Sequence, residues 1–145
     1  MSRIVLSTMG SLGDLHPMMA LGLELRSRGH SVVINTWQGY SEKIIENGLE
    51  FAPLRPNLDP TDTELIRKTM DARTGPEMVI REIILPSIRD MYDDMLAAVD
   101  GADVFLNGEI VYTAASIAEK PGGKRITTSL SPLCMFSSHD PKVYP

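Results

Sequence analysis

The chain has 145 residues, of which 43% are hydrophobic, and its formal net charge is −5. These values are typical of one globular domain with its own core and exclude a disordered chain. The acidic balance, with basic residues scattered along the sequence, argues against a nucleic-acid partner.

The compartment is predicted from the cysteine count and the N-terminus. The single cysteine, Cys134, cannot form an internal disulfide, which is typical of a reducing compartment. The first apolar run is interrupted at Gly10, too early for a signal peptide. No stretch approaches the roughly 18 apolar residues of a membrane helix. We therefore expect a cytoplasmic protein.

The first half of the chain predicts strands and helices in alternation. Pro17 suits the first turn of a helix, so we predict a helix that begins there and is ended by Gly29. A second helix is predicted over residues 40–47, ended by Gly48. Short runs rich in branched residues predict strands at residues 3–8, 31–36 and 49–54.

The second half begins with a predicted helical insertion. Thr61 or Asp62 can cap a helix that runs to about residue 72, and Thr74-Gly75-Pro76 breaks it. Helical spacing of apolar residues predicts a longer helix over 77–99, which Pro86 either kinks or begins. The predicted order ends with a strand at 103–107, a helix at 111–119, a strand at 124–129 and a proline-containing linker or lid at 130–145.

This order predicts an α/β fold: a Rossmann-like, doubly wound parallel sheet of about five strands flanked by helices, with a helical insertion after the third strand. The most informative segment lies between the first strand and the predicted first helix. There, Gly10 and Gly13 relax the backbone, and Asp14 and His16 follow. Open α/β sheets bind ligands at this carboxyl edge.

Several known ligand motifs do not match this segment. The dinucleotide fingerprint needs a third glycine, and a phosphate-binding P-loop needs a Gly-Lys-Ser or Gly-Lys-Thr sequence after a strand. The Asp14-x-His16 pair is similar to a cobalamin motif, but Met19 occupies the expected glycine position. Three histidines and one cysteine, widely spaced, predict no metal site.

The segment resembles the N-terminal motif of GT-B glycosyltransferases, in particular the family 28 N-terminal domain and the bacterial and sterol-type UDP-glycosyltransferases of family 1. Four further stretches in the same order extend the resemblance to both ends of the chain. The stretches that carry it are Gly10-Ser11-Leu12-Gly13-Asp14-Leu15-His16-Pro17, Arg26-Ser27-Arg28-Gly29-His30, Asn47-Gly48-Leu49-Glu50-Phe51-Ala52-Pro53-Leu54, Ser131-Pro132 with Phe136-Ser137, and Asp140-Pro141.

The resemblance implies that residues 1–145 form the acceptor-binding half of an inverting, metal-independent hexosyltransferase. The donor would be a nucleotide sugar, expected to be a UDP-sugar, and the acceptor a hydroxyl of a lipid, sterol-like compound or natural product. The nucleotide-sugar-binding domain is absent from this chain and would be supplied in cis or in trans. No further cofactor is expected, this domain alone is expected to be inactive, and peripheral membrane contact is left open.

The resemblance gives Asp14 the role of general base, which takes the proton of the acceptor hydroxyl. The structural alternative is that Asp14 caps the following helix. The two roles conflict in part, because a carboxylate held by backbone N–H groups is a poorer base. His16 is expected to line the acceptor pocket or pack on the loop, and is a less favoured candidate for the base.

The remaining candidates lie along the same edge. Gly10, Ser11 and Gly13 are placed near the donor phosphate, although a tight turn explains the glycines equally well. Asn107 and Glu109 end the fourth strand and are candidates for acceptor binding. His139, in the tail that lines the acceptor cleft of the family, is another candidate.

Two alternatives stay open. The methionines at 70, 78, 91 and 95 could form a pliable acceptor pocket, although core packing is the favoured interpretation. The whole domain could also be a non-catalytic module that binds a ligand or a partner chain in the same cleft. A dinucleotide oxidoreductase is disfavoured by the missing third glycine.

Overall fold

A computed structural model describes residues 1–59, 61–119, 124–131 and 139. Its strands are β1 (Arg3–Ser7), β2 (Ser31–Thr36), β3 (Glu50–Pro53), β4 (Val104–Asn107) and β5 (Arg125–Thr127). Its α-helices are α1 (Leu12–Ser27), α2 (Ser41–Glu46), α3 (Thr63–Thr69), α4 (Gly75–Met78), α5 (Leu85–Val99) and α6 (Ala114–Ala118). A 3₁₀ turn at Gln38–Tyr40 precedes α2, and a π-helical stretch at Val79–Ile84 joins α4 to α5.

The five strands form one parallel sheet in the order β3-β2-β1-β4-β5. Alternation along β1 sends Val5 to one face and Ile4 and Leu6 to the other, and each face carries its own hydrophobic cluster. Helices α1 and α2 cover the face of Leu6, and α5 and α6 cover the face of Val5. The predicted doubly wound fold with a helical insertion after the third strand is confirmed.

In the connection from β1 through α1 to β2, packing requires one glycine and backbone geometry requires another. A Cβ on Gly22 of α1 would lie 3.3 Å from both Val32 and Ile34 of β2, so glycine lets the helix approach the sheet closely. Gly29 ends α1 with φ +87°, as predicted. Arg26 then donates to the carbonyls of Asn47 (3.0 Å) and Gly48 (2.6 Å), which ties α1 to the end of α2.

The predicted start of α1 is wrong. The helix begins at Leu12 rather than Pro17, because Ser11 is its N-cap and Asp14 completes a capping box. Pro17 lies inside the helix, where it has no N–H to donate to the carbonyl of Gly13. Residues 12–16, five of the eight between the predicted strand and the predicted helix, therefore belong to α1.

The insertion also differs from prediction. Helix α3 ends at Thr69 rather than near residue 72, and residues 74–76 begin α4 instead of only breaking a helix. Pro86 stands in the first turn of α5, directly after the π-helical stretch, as a residue without an N–H requires. Of the two alternatives, that Pro86 kinks the helix or marks its true start, the structure favours the first: the backbone is helical without a break from Gly75 to Val99, and the π-helical stretch lies directly before Pro86.

The methionines divide between core and surface. Met91 and Met95 are fully buried under the sheet, in agreement with the favoured interpretation. Met70 is 77% exposed, so the core interpretation is wrong for this residue. Among the helices of the described residues, none is both long and apolar enough to cross a membrane.

Candidate functional site

The carboxyl ends of the strands are joined by hydrogen bonds between polar groups. Ser7 donates to the side chain of Asn35 (3.0 Å), which in turn donates to the carbonyl of Pro53 (2.9 Å). The N–H of Gly108 donates to the carbonyl of Ser7 (2.9 Å), where β1 and β4 lie side by side. In the order 3-2-1-4-5, this is the point at which the strand order reverses across the sheet, and open α/β sheets in general bind their ligands at such a point.

Asp14 lies beside this point, in the first turn of α1. Its Oδ2 accepts from the backbone N–H of Ser11 (2.8 Å) and from the Ser11 hydroxyl (3.1 Å). The side chain is half-buried, and no hydrogen bond within the described part of the chain reaches its Oδ1. The carboxylate therefore caps the helix with one oxygen and leaves the other without a hydrogen bond among the described residues.

His16 is not brought together with Asp14. The two residues are two positions apart on a helix, about 200° around its axis, so their side chains diverge. His16 is exposed. Its predicted place in the acceptor pocket stays a prediction, whereas the structure offers no paired Asp–His arrangement.

The glycines of the segment have different reasons to be glycine. Gly10 has φ +132°, which L-residues rarely adopt, and a Cβ there would collide with Oδ2 of Asp14. Gly13 has no positive φ, and its N–H donates to the Ser11 hydroxyl oxygen (3.1 Å). Because the N–H groups of Ser11 and Gly13 serve the cap, a donor phosphate would have to compete for them. The placement of Gly10, Ser11 and Gly13 near that phosphate stays a prediction.

Tyr40 belongs to this site, although the sequence predicts for it only the start of a helix. Its hydroxyl donates to the carbonyl of Gly10 (3.1 Å), and its ring stacks on Trp37 with centroids 6.2 Å apart and planes 8° apart. Burial raises the pKa of the Tyr40 phenol, and the charge of Asp14 raises it further. The available signal was topological: residues that follow β2 must emerge at the same edge as those that follow β1.

Asn107 ends β4, as predicted, but its side chain is buried and bonded within the edge. It donates to the carbonyl of Gly108 (2.9 Å) and accepts from the Thr127 hydroxyl (3.3 Å). The backbone N–H of Thr128 donates to the Asn107 carbonyl (2.9 Å). Asn107 thus joins the ends of β4 and β5, and acceptor binding by it stays a prediction.

Glu109 organises the segment that follows β5. Its Oε1 accepts from the hydroxyl of Ser129 (2.8 Å) and from the backbone N–H groups of Leu130 (2.6 Å) and Ser131 (3.2 Å). The segment held in this way leads into the predicted linker or lid, most of which lies outside the described residues. His139 is described and exposed, and its predicted role in acceptor binding stays untested.

A cleft of about 490 Å³ opens between α5 and α6. Tyr92 and Tyr112 contribute aromatic surface, and Arg89 and Asp93 contribute charge. Tyr112 lies on the connection from β4 to α6, in which the N–H of Val111 donates to the carbonyl of Gly108 (3.4 Å).

Asp103 lies outside the site. Its carboxylate accepts from the N–H of Arg3 (2.8 Å) at the amino edge of the sheet, so it cannot orient a base at the opposite edge.

Among the described residues, no group of three or more histidine, cysteine, aspartate or glutamate side chains could hold a metal ion.

The chain is similar to known proteins in its family, its sequence and its fold. Residues 4–119 match the glycosyltransferase family 28 N-terminal domain. An O-mycaminosyltylonolide 6-deoxyallosyltransferase of Streptomyces fradiae is 33% identical over 120 residues, which are 78% of this chain and 28% of the relative. A sterol 3-beta-glucosyltransferase of Debaryomyces hansenii is 28% identical over 123 residues, which are 83% of this chain and 8% of the relative.

Solved structures share the fold. The glycosyltransferase SsfS6 of Streptomyces sp. SF2575 superposes with a TM-score of 0.66 at 22% identity, over 89% of this chain and 39% of its own. The same enzyme has been solved in complex with thymidine diphosphate, with a TM-score of 0.60 at 24% identity, over 89% of this chain and 38% of its own. The chain spans less than half the length of each of these relatives.

Proposed function

The chain belongs to the glycosyltransferase family 28 N-terminal domains, and we propose from this that it is the acceptor-binding half of an inverting hexosyltransferase. In the proposal, a second domain, in cis or as a separate chain, binds the nucleotide sugar across the carboxyl edge of the sheet. The domain alone then transfers nothing, because half of the site is missing.

The observation that carries the proposal is the position of Asp14. Its Oδ2 is held by Ser11, and its Oδ1 is left without a hydrogen bond among the described residues at the ligand-binding edge. A base needs a positioned oxygen with a free lone pair within reach of the substrate proton. A capping carboxylate whose second oxygen was also bound would not meet that need.

The proposed reaction is a single displacement. The acceptor hydroxyl oxygen forms a bond to the anomeric carbon of the sugar while the bond from that carbon to the diphosphate oxygen breaks. The hydroxyl proton passes to Oδ1 of Asp14, and the nucleoside diphosphate leaves with the bonding electrons. An aspartate suffices because the hydroxyl becomes acidic only as the new bond forms.

The substrates are proposed from the predicted class and from the names of relatives. The donor is a UDP-hexose, and dTDP-hexoses are the other class to test because SsfS6 was solved with thymidine diphosphate. The acceptor is a lipid, sterol-like or natural-product hydroxyl, in keeping with relatives named for a sterol and for a tylonolide. The cleft between α5 and α6, with Tyr92 and Tyr112, offers apolar surface for the acceptor. Cytoplasmic location stays a prediction.

Asp14→Asn is the decisive variant. Its amide oxygen can still accept from the N–H of Ser11, so the cap and the fold are expected to survive while the base is lost. We expect transfer to fall by about 10²–10⁴-fold. The assay mixes or fuses this chain with its nucleotide-sugar-binding domain, supplies UDP- and dTDP-hexoses, and follows glycoside formation and the anomeric configuration of the product.

Asp103→Asn is the matched control, because Asp103 also accepts a backbone N–H but at the opposite edge of the sheet. It is expected to retain wild-type transfer. Wild-type transfer by Asp14→Asn would overturn the assignment of the base. Absence of transfer by the wild-type pair with every donor, combined with retained ligand binding, would instead support the non-catalytic binding module.

A further inference from the structure

We propose that Tyr40 is a positioning residue for Asp14, which it controls through the peptide group between Gly10 and Ser11. The inference rests on the proposed function, since the orientation of the Asp14 carboxylate matters for catalysis only if Asp14 is the base. The contacts themselves are independent of that role.

One peptide group carries both contacts. The carbonyl of Gly10 accepts from the Tyr40 hydroxyl at 3.1 Å. The N–H of the same peptide group, which belongs to Ser11, donates to Oδ2 of Asp14 at 2.8 Å. Because a trans peptide group is planar, its C=O and N–H point in opposite directions and cannot turn separately. A phenol that fixes the carbonyl therefore also fixes the N–H that holds the carboxylate.

The peptide group needs such an anchor. Gly10 has φ +132° and no side chain, so sterics restrict its own backbone torsions only weakly. Its α-carbon also lies against the carboxylate, since a Cβ there would come within 2.8 Å of Cγ of Asp14. Rotation of this peptide group would turn its carbonyl oxygen toward the negatively charged carboxylate of Asp14. It would also displace the backbone against which that carboxylate packs.

Tyr40 is itself buried and packed on its neighbours. It is 5% exposed, packs in the hydrophobic cluster under α1 and α2, and stacks on Trp37. Burial and the charge of Asp14 both raise the pKa of its phenol, which stays a hydrogen-bond donor throughout the neutral range. The hydrogen bonds run in one direction, from phenol to carbonyl and from N–H to carboxylate, an arrangement in which each bond polarises the next.

The expected consequence is specific to catalysis. Tyr40→Phe keeps the ring and its stacking but removes the donor, so the Gly10–Ser11 peptide group gains freedom to turn. Misplacement of a catalytic group by about 1 Å can lower a rate by about 10²-fold, and we expect kcat to fall by about tenfold or more. The KM of the acceptor should stay within about twofold of the wild-type value, because the orientation of the carboxylate affects the transition state rather than the binding of the acceptor.

The proximity of the Asp14 charge to the Tyr40 phenol is tested first, on this chain alone. The Tyr40 phenol is titrated by NMR of ring-labelled tyrosine, with its resonance assigned by Tyr40→Phe. Asp14→Asn is expected to lower the Tyr40 pKa because it removes the nearby charge, and Asp103→Asn is expected to leave it unchanged. An unchanged Tyr40 pKa in Asp14→Asn would overturn the inference without bearing on the proposed function.

The kinetic test uses the complete transferase. Ser27→Ala is the matched control, because it also deletes a hydroxyl that donates to a backbone carbonyl (Glu24, 2.7 Å), at the far end of α1. A tenfold loss of kcat in Tyr40→Phe, with wild-type kcat in Ser27→Ala, supports the positioning role. Wild-type kcat in Tyr40→Phe, in an enzyme that Asp14→Asn inactivates, overturns the positioning role and leaves the proposed function intact.

Discussion

Ser11 and Asp14 hold each other at the start of α1. Asp14 accepts from both the backbone N–H and the hydroxyl of Ser11, and the hydroxyl oxygen of Ser11 accepts from the N–H of Gly13. The residue proposed as the catalytic base is thus also part of the helix cap. Substitutions in this segment act on stability and on the site together, and experiments have to separate the two effects.

Ser11→Ala removes the cap and leaves the backbone contact to Asp14. We expect the free energy of unfolding to fall by about 1 kcal/mol, because a helix start loses its side-chain acceptor. Urea denaturation measures the loss. Ser41→Ala is the control, since Ser41 also begins a helix but provides no cap there. Equal losses in the two variants would contradict a capping role for Ser11.

Gly10→Ala is expected to destabilise the chain for two separable reasons. The positive φ strains an alanine, and the new Cβ collides with Oδ2 of Asp14. Together they should lower the free energy of unfolding by about 1–3 kcal/mol. In an Asp14→Ala background the collision is absent, so the same substitution should be less destabilising.

Gly29→Ala serves as the control in that cycle. Gly29 also has a positive φ, +87°, but nothing lies within 4 Å of a Cβ built there. Its effect should therefore be the same with and without Asp14. If Gly10→Ala were equally destabilising in both backgrounds, the close approach between Gly10 and the carboxylate would be wrong.

Acid stability is expected to depend on the pair of Arg55 and Asp94. Arg55 donates to this carboxylate from its backbone N–H (2.9 Å), Nε (2.8 Å) and Nη2 (2.7 Å), which ties the end of β3 to α5. The hydrogen bond from Arg55 lowers the pKa of Asp94 below its ordinary 3.8, against the opposing effect of burial. The stabilisation is therefore present above pH 3.8 and is lost as the pH falls through the lower value of the folded state.

In Asp94→Asn, the free energy of unfolding should consequently fall less steeply as the pH drops below about 4. Near neutral pH it should be lower than that of the wild type by about 1 kcal/mol. Chemical denaturation at several pH values measures both effects. Asp90→Asn is the control, because Asp90 makes one exposed contact with Arg55 at 3.0 Å and should contribute little. If Asp94→Asn lost stability below pH 4 as steeply as the wild type, the contribution of the Arg55–Asp94 pair to acid stability would be refuted.

Local signals predicted much of the fold correctly. The boundaries of β2 match the prediction, and Gly29 and Gly48 end their helices with positive φ, because a helix end depends on a few neighbouring residues. The predicted start of α1 is wrong although the sequence contains the signal for the correct one. Ser11 and Asp14 have the spacing of a capping box, but Pro17 favours a first helical turn and gives a competing signal five residues later.

The chain by itself therefore determined the alternation of strands and helices, and it marked the segment that contains Asp14. Only the tertiary structure decided what that segment touches. Tyr40 reaches the carbonyl of Gly10 across 30 positions, and Asn107 bonds to Thr127 across 20, because parallel pairing brings the carboxyl ends of distant strands to one edge. A local sequence pattern reports backbone conformation and burial, but the partner of a side chain depends on which strands lie side by side.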